Sequence, residues 1–260
     1  MSQASGTGLS ARGAAVFAAA LTLAGAPKTA QAQQAQQGPQ ASPLAQGLLA
    51  EPQAAGARRY ATPDGAVRFV FDRSGGRVAL VRFEGDPEVH VLRPVMAAGG
   101  GEIYRTENGD VILRVTPHGG ITVYTRLHRT GAPASEGAEV APLTPEAVQQ
   151  TYMRERLRQL QVLAARSVGQ SVTFDAPVAT NNGSANGAML DAAEVAAKGL
   201  ADAPMTTVRH VVITIGTRPG AVMREETLTI EVVPQMGFAG RPSSNTIRNV
   251  VTGNVQGPQQ

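Results

Sequence analysis

The sequence predicts an α+β protein, an antiparallel β-meander or small barrel followed by an αβαββ half. Three observations carry this. Residues 60–129 alternate apolar and polar with a period of two. The breaks in that alternation carry turn residues. Beyond residue 144 the apolar spacing changes to helical and then back to strand-like.

In the first half the predicted strands are 67–72, 77–83, 88–93, 102–106, 111–115 and 121–126. Val67, Phe69 and Phe71 share one face, as do Val111, Leu113 and Val115. The separators are Arg73-Ser74-Gly75-Gly76, Glu84-Gly85-Asp86-Pro87, Asn108-Gly109 and Thr116-Pro117-His118-Gly119-Gly120. Glycine supplies positive φ, and Asn-Gly is the preferred pair of a type I′ hairpin. Six short strands on tight turns give a meander that can close.

Residues 130–143, rich in Ala, Gly and Pro, read as a linker into the α/β half at 144–236. Thr144-Pro145-Glu146 predicts a helix start, with Thr as N-cap and Pro at the first helical position. Met153, Leu157, Leu160, Leu163 and Val168 recur at helical spacing, and Arg154, Arg156 and Arg158 form a solvated face. Val172–Phe174 reads as a short strand and 181–187 as a loop. A second helix is predicted at 188–200, with Met189, Ala193, Ala196 and Leu200 on one stripe. Two strands at 206–215 and 226–233 follow, with Arg218-Pro219-Gly220 as a turn between them. Residues 237–260 read as mostly irregular, with a strand or short helix near 246–251.

The amino terminus has the three parts of a secretory signal over 1–32: Arg12, an apolar run at 13–26, and the small-residue triplet Ala30-Gln31-Ala32 ahead of Gln33. The apolar run is shorter than the roughly 20 residues that span a bilayer. The expectation is an exported protein, periplasmic or secreted, with no transmembrane span in the mature chain. Residues 33–59, rich in Gln, Ala, Pro and Gly, cannot bury enough surface to order themselves and read as a disordered linker.

Composition narrows the chemistry. The net charge is +3, and Arg12 and Lys28 lie in the signal, so the exported chain is near neutral and has no electrostatic footprint for nucleic acid. There is no cysteine, which removes disulfides, thiolate nucleophiles and a lipoprotein anchor. No G-x-S-x-G and no phosphate loop occur. Glu88 and His90 share a strand face, but two ligands make no metal site, and an exposed strand edge accounts for them. Glu84, Asp86, Glu88, Glu107 and Asp110 fall at turns or strand ends, where acids are ordinary solubilising residues. No cofactor is expected and no residue is assigned a catalytic role.

Several segments resemble one another's counterparts in a known group of proteins. Residues 101–105, 108–116 and 119–124, with 191–200 and Gly240-Arg241-Pro242-Ser243-Ser244, resemble an uncharacterised family of exported Gram-negative proteins that carries only a domain-of-unknown-function label. The likeness covers most of the mature chain and implies no known activity. A second one, confined to 60–125, is to periplasmic inhibitors of c-type lysozyme. These are small barrels that block the enzyme's acids with a Ser-Gly-x-x-Tyr loop and a later Lys-Gly loop. Gly100-Gly101-Glu102-Ile103-Tyr104 aligns with the first loop and His118-Gly119 with the second, but Gly100 and His118 replace the decisive Ser and Lys.

The function these readings imply is a non-enzymatic envelope interaction or accessory protein, with an envelope protein or cell-wall component as partner. The alternatives are an inhibitor-like β module acting on a cell-wall lytic enzyme and a hydrolase without a recognisable motif. The expected binding residues are Glu102, Tyr104 and His118, on turns at one end of the meander. Processing is directly testable. The exported protein should begin at Gln33 by intact mass, and Ala32→Trp should block cleavage; Met1 on the exported protein contradicts this.

Overall fold

A computed structural model describes residues 56–254 except 178–180 and 204. The predicted signal with its cleavage residues Ala30, Ala32 and Gln33, most of the predicted linker at 33–59, and the last six residues lie outside the described residues. The fold is mixed α+β. Eight strands form a closed antiparallel barrel: β1 (Ala57–Ala61), β2 (Arg68–Asp72), β3 (Ala79–Phe83), β4 (Val89–Met96), β5 (Glu102–Arg105), β6 (Val111–Val115), β7 (Ile121–Val123) and β8 (Ala132–Val140).

Alternation explains the barrel interior. Tyr60, Phe69, Phe71, Val81, Leu92, Tyr104, Leu113 and Val123 point inward and are buried. Eight strands enclose a space just wide enough for side chains to fill. The aromatic rings fill it edge to face, with Phe71 and Tyr104 centroids 4.9 Å apart, and stacked, with Tyr60 and Phe69 at 5.5 Å.

The barrel closes through a segment that reads as a linker. Residues 132–140 are β8, not a connector, and β1 starts at Ala57 inside the other predicted linker. The first three residues of β8 pair with β7 and its remainder, Ser135–Val140, with β1. Pro133 stands opposite Thr122 in the part bonded on one side only, so its missing N–H leaves no ladder bond unmade. The strand's composition of Ala, Ser, Gly and Pro carries no hydrophobic alternation, and pairing alone makes it a strand.

Because neighbouring strands are antiparallel, turns alternate between two barrel ends. One end carries the turns around Asp86, Glu107 and Arg126; the other carries 73–78, 97–101 and 116–120. At the second end, Gly101 has φ +79°, and a Cβ there would sit 2.3 Å from the Val115 carbonyl oxygen. Only glycine fits both requirements.

The second half has helices α1 (Gln150–Val168), α2 (Gly183–Ala201) and α3 (Ser244–Val251), a 3-10 segment at Pro234–Gly240, and a sheet of β9 (Thr173–Asp175), β10 (His210–Ile215), β11 (Gly220–Arg224) and β12 (Thr227–Val232). The strand order is β11-β12-β10-β9, parallel except for β11. Val211, Ile213, Leu228, Ile230 and Val232 are fully buried on one sheet face. They meet Met153, Leu157 and Leu160 of α1, Met189, Ala193 and Ala196 of α2, and Ile247 of α3.

Four expectations are corrected in this half. α1 begins at Gln150 rather than at Pro145, because the Val148 N–H donates to Gly183 O at 2.9 Å instead of closing a first turn. The predicted loop at 181–187 is mostly helix, since Asn182 caps α2 by accepting from Ser184 N at 3.0 Å and Ala185 N at 3.3 Å. Residues 220–224 are an edge strand, β11, so the half reads αβαβββ before its closing helix. At the start of the expected irregular tail, Pro234–Gly240 is a 3-10 segment, while the short helix expected near 246–251 is present as α3.

Gly101→Ala tests the open-end geometry. It should destabilise the protein by about 2 kcal/mol or more, measured by denaturant unfolding, because neither the backbone angle nor the 2.3 Å approach tolerates a methyl group. An unchanged midpoint contradicts the turn.

Candidate functional site

The densest group of charged side chains lies where the first barrel end meets α2 and α3. Glu88 precedes β4 and its side chain is 1% exposed. It accepts from Ser244 N at 3.0 Å and Ser244 Oγ at 2.5 Å, so a barrel carboxylate satisfies orphan donors at the α3 N-terminus. Glu107, on the β5–β6 turn, accepts from Ser243 and Thr246 in the same first turn. Both acids are corrected from solubilising residues to anchors.

Lys198 reaches back from α2. Its Nζ lies 2.8 and 2.9 Å from the two Asp86 oxygens and 2.9 Å from Glu88 Oε2. Arg241, also nearly inaccessible, pairs through Nε with Asp191 of α2 and donates through Nη2 to Val89 O at 3.1 Å. Its Nη1 lies 4.0 Å from Glu88 Oε1. Close approach of α2 and α3 makes this possible: at Gly199 a Cβ would stand 2.8 Å from Ser244 O.

Burial and pairing act in opposite directions on these acids. Desolvation raises Asp86 and Glu88, but bonds from His90 and Lys198 to Asp86, and from Ser244 and Lys198 to Glu88, outweigh it and hold both below the usual carboxylate range. Lys198 is raised, its acid partners outweighing desolvation. Asp191 goes the other way: desolvation dominates and raises it despite Arg241.

Asp86, Glu88 and His90 place three ligand-type atoms within 4.8 Å of one another. The cation these carboxylates hold is the ammonium of Lys198, and His90 Nε2 lies 3.2 Å from Asp86 Oδ2. Glu88 is therefore not on an exposed strand edge. The cluster opens onto a cleft of about 500 Å³, lined by Asp86, Glu88, His90 and Lys198 together with Glu107 and Arg248.

The expected binding residues lie at the other end. The turns at 97–101 and 116–120 do meet: a Cβ on Gly100 would stand 3.1 Å from Pro117 Cγ. His118 is exposed and Glu102 half-buried. Tyr104 is not on that surface. It is 3% exposed inside the barrel and donates to Glu102 Oε2 at 2.5 Å. Burial, reinforced by Glu102, pushes its phenol up to about 12.

Sequence reasoning missed Lys198, Asp191, Arg241 and Ser244. A usable signal was present, because Asp191, Glu194 and Lys198 repeat at helical spacing on the otherwise apolar α2. A charge on such a helix has to find a partner. Arg156, read as part of a solvated face, meets Glu194 Oε1 at 2.8 Å and ties α1 to α2.

Removing one member strands the others. Arg241→Ala should cost about 3–5 kcal/mol, because Glu88 and Asp191 stay buried without that cation. The pH dependence has a defined sign. Asp86 and Glu88, depressed in the folded state, stabilise fully above the unfolded carboxylate range near pH 4, and that contribution is lost as pH falls below it. Asp191, raised, opposes this by favouring the folded state as it protonates. Thermal unfolding across pH should drop steeply below about pH 4, and less steeply for Glu88→Gln.

Comparison with known proteins gives a family and no activity. No curated protein and no solved structure matches the chain. Residues 43–251 match the family described as a domain of unknown function, DUF4908, and the chain belongs to that family.

Proposed function

We propose that the protein is an exported, non-catalytic interaction module of the bacterial envelope, and that the open barrel end is its recognition face. The observation that carries this reading is the contrast between the two ends. One end is bonded to α2 and α3 through Asp86, Glu88 and Glu107. The other presents two touching glycine turns with His118 exposed and Glu102 at the rim. Loops held by a rigid sheet are where binding residues concentrate. The non-catalytic part rests on the charged cluster at the bonded end, where Lys198 is held between Asp86 and Glu88 and Arg241 between Asp191 and Glu88.

The test is fractionation followed by cross-linked capture of the exported protein. An envelope component should be recovered in stoichiometric amount. Glu102→Gln with His118→Ala should reduce recovery several-fold without moving the unfolding transition. Recovery from the cytoplasm alone contradicts export, and normal capture by the double variant removes the open end as the site.

The inhibitor-like alternative has one observation in its favour: the two turns that its likeness requires lie side by side on a closed barrel. Inhibition of a c-type lysozyme by molar excess of the protein supports it, and unaltered lysis rejects it.

A further inference from the structure

The outer wall of β4–β6 carries three arginines on adjoining strands. Arg93 follows buried Leu92, Arg105 follows buried Tyr104, and Arg114 lies between buried Leu113 and Val115, so strand alternation turns all three outward, where they are exposed. Arg93 and Arg105 are direct register partners. Arg114 stands opposite Ile103, two residues from Arg105 along β5. Directly opposed residues have Cβ atoms about 5 Å apart, and although a bulge between Tyr104 and Arg105 offsets Arg114 along the ladder, the three arginines stand on adjoining strands of one wall. Among the described residues, no acidic side chain lies within ion-pairing distance of any of them.

Among the described residues, exposed Arg59 and Arg82 on β1 and β3 are also without an ion pair, whereas two other barrel arginines are matched. Arg58 pairs with Glu136 and Arg68 with Glu84. Like charges directly opposed on a sheet destabilise it, so the Arg93–Arg105 pair costs the fold something that an external anion would recover. Apolar side chains lie beside them. Val95, on the same outer face as Arg93, is 47% exposed, and half-buried Ile103 lies between Val95 and Arg114 in register. A soluble anion has no use for that apolar rim. A bilayer surface does, since it offers phosphate oxygens at headgroup level and an apolar boundary just beneath.

We propose that the outer wall of β4–β6 is a seat for anionic phospholipid headgroups, with Arg93, Arg105 and Arg114 on the phosphates and Val95 and Ile103 entering the interface. Guanidinium forks match phosphate oxygens in bidentate geometry. The site is distinct from the turn rim at Glu102 and His118, and lipid binding stands or falls apart from capture of an envelope partner there.

The experiment is vesicle co-sedimentation of the chain from Gln33 onward, which keeps every described element and removes the apolar run at 13–26. Phosphatidylglycerol-rich vesicles should bind it and phosphatidylcholine vesicles should not, and binding should weaken with salt. Each Arg→Gln change should lower partition about fivefold, and the triple variant on the order of 100-fold. The control pair Arg154→Gln and Arg166→Gln, on exposed positions of α1, should bind normally. The triple variant should also unfold at an unchanged or higher temperature, because it removes the like-charge pair. Equal binding to both vesicle types, or a triple variant that binds like the parent, overturns the proposal. Undiminished vesicle binding by Val95→Asp, or displacement by millimolar inorganic phosphate, also overturns it in favour of a free-anion site.

Discussion

The buried carboxylate of Glu88 is the constraint on which the two halves of the fold depend. It lies at the end of the barrel, nearly out of solvent, and an unpaired charge there would cost several kcal/mol. Its partners come from beyond the barrel: Ser244 at the start of α3, Lys198 on α2 and Arg241 between the 3-10 segment and α3. The barrel cannot keep Glu88 charged and buried by itself, and α3 has orphan amide donors at its first turn. Each side holds what the other lacks. An antiparallel barrel and a largely parallel sheet, with separate apolar cores, are thereby held together by polar groups.

That arrangement bears on how the charged residues should be interpreted. Perturbed acids next to a lysine and a histidine are a common mark of an active site. Here each perturbation has a structural cause. Asp86 and Glu88 are depressed because Lys198, His90 and Ser244 bond to them, and Asp191 is raised because burial, with Glu194 and Glu88 nearby, outweighs the lowering by Arg241. Helix α2 serves both ends of this network. Its apolar residues face α1 and the sheet, while Asp191, Glu194 and Lys198 reach Arg241, Arg156 and the barrel.

Much of the fold was legible where period and turn chemistry agreed. The strand 111–115 and the buried row Leu228, Ile230 and Val232 follow directly from alternation. What stayed illegible was set by partners far away in the chain. β8 has no pattern of its own and exists because β7 and β1 both offer it an edge. The false helix start at Pro145 had good local chemistry, yet Val148 N–H is drawn to Gly183 O. Tyr104 is a similar case: its neighbouring glycines suggested a surface loop, but strand parity turns the ring inward against Phe71. The latch residues were hardest to read, since Asp86, Glu88 and Glu107 look like ordinary turn acids until α2 and α3 are placed against them.

The same reasoning separates the barrel's charges into two kinds. At the end that meets α2 and α3, Lys198 stands between Asp86 and Glu88, and Arg241 between Asp191 and Glu88. Those on the outer wall of β4–β6 are unmatched and of one sign, and two of them face each other across a ladder. A protein that neutralises its buried charges this fully does not lack acids to place beside Arg93 and Arg105, since Glu136 and Glu84 do that for Arg58 and Arg68 one face away. Surface positions tolerate such an imbalance at modest cost, because water screens it. The cost is still a cost, and an apolar rim at Val95 and Ile103 adds a second one in the same place. Two departures from an inert surface that coincide on one wall are more simply explained by a shared counterpart than by two unrelated accidents.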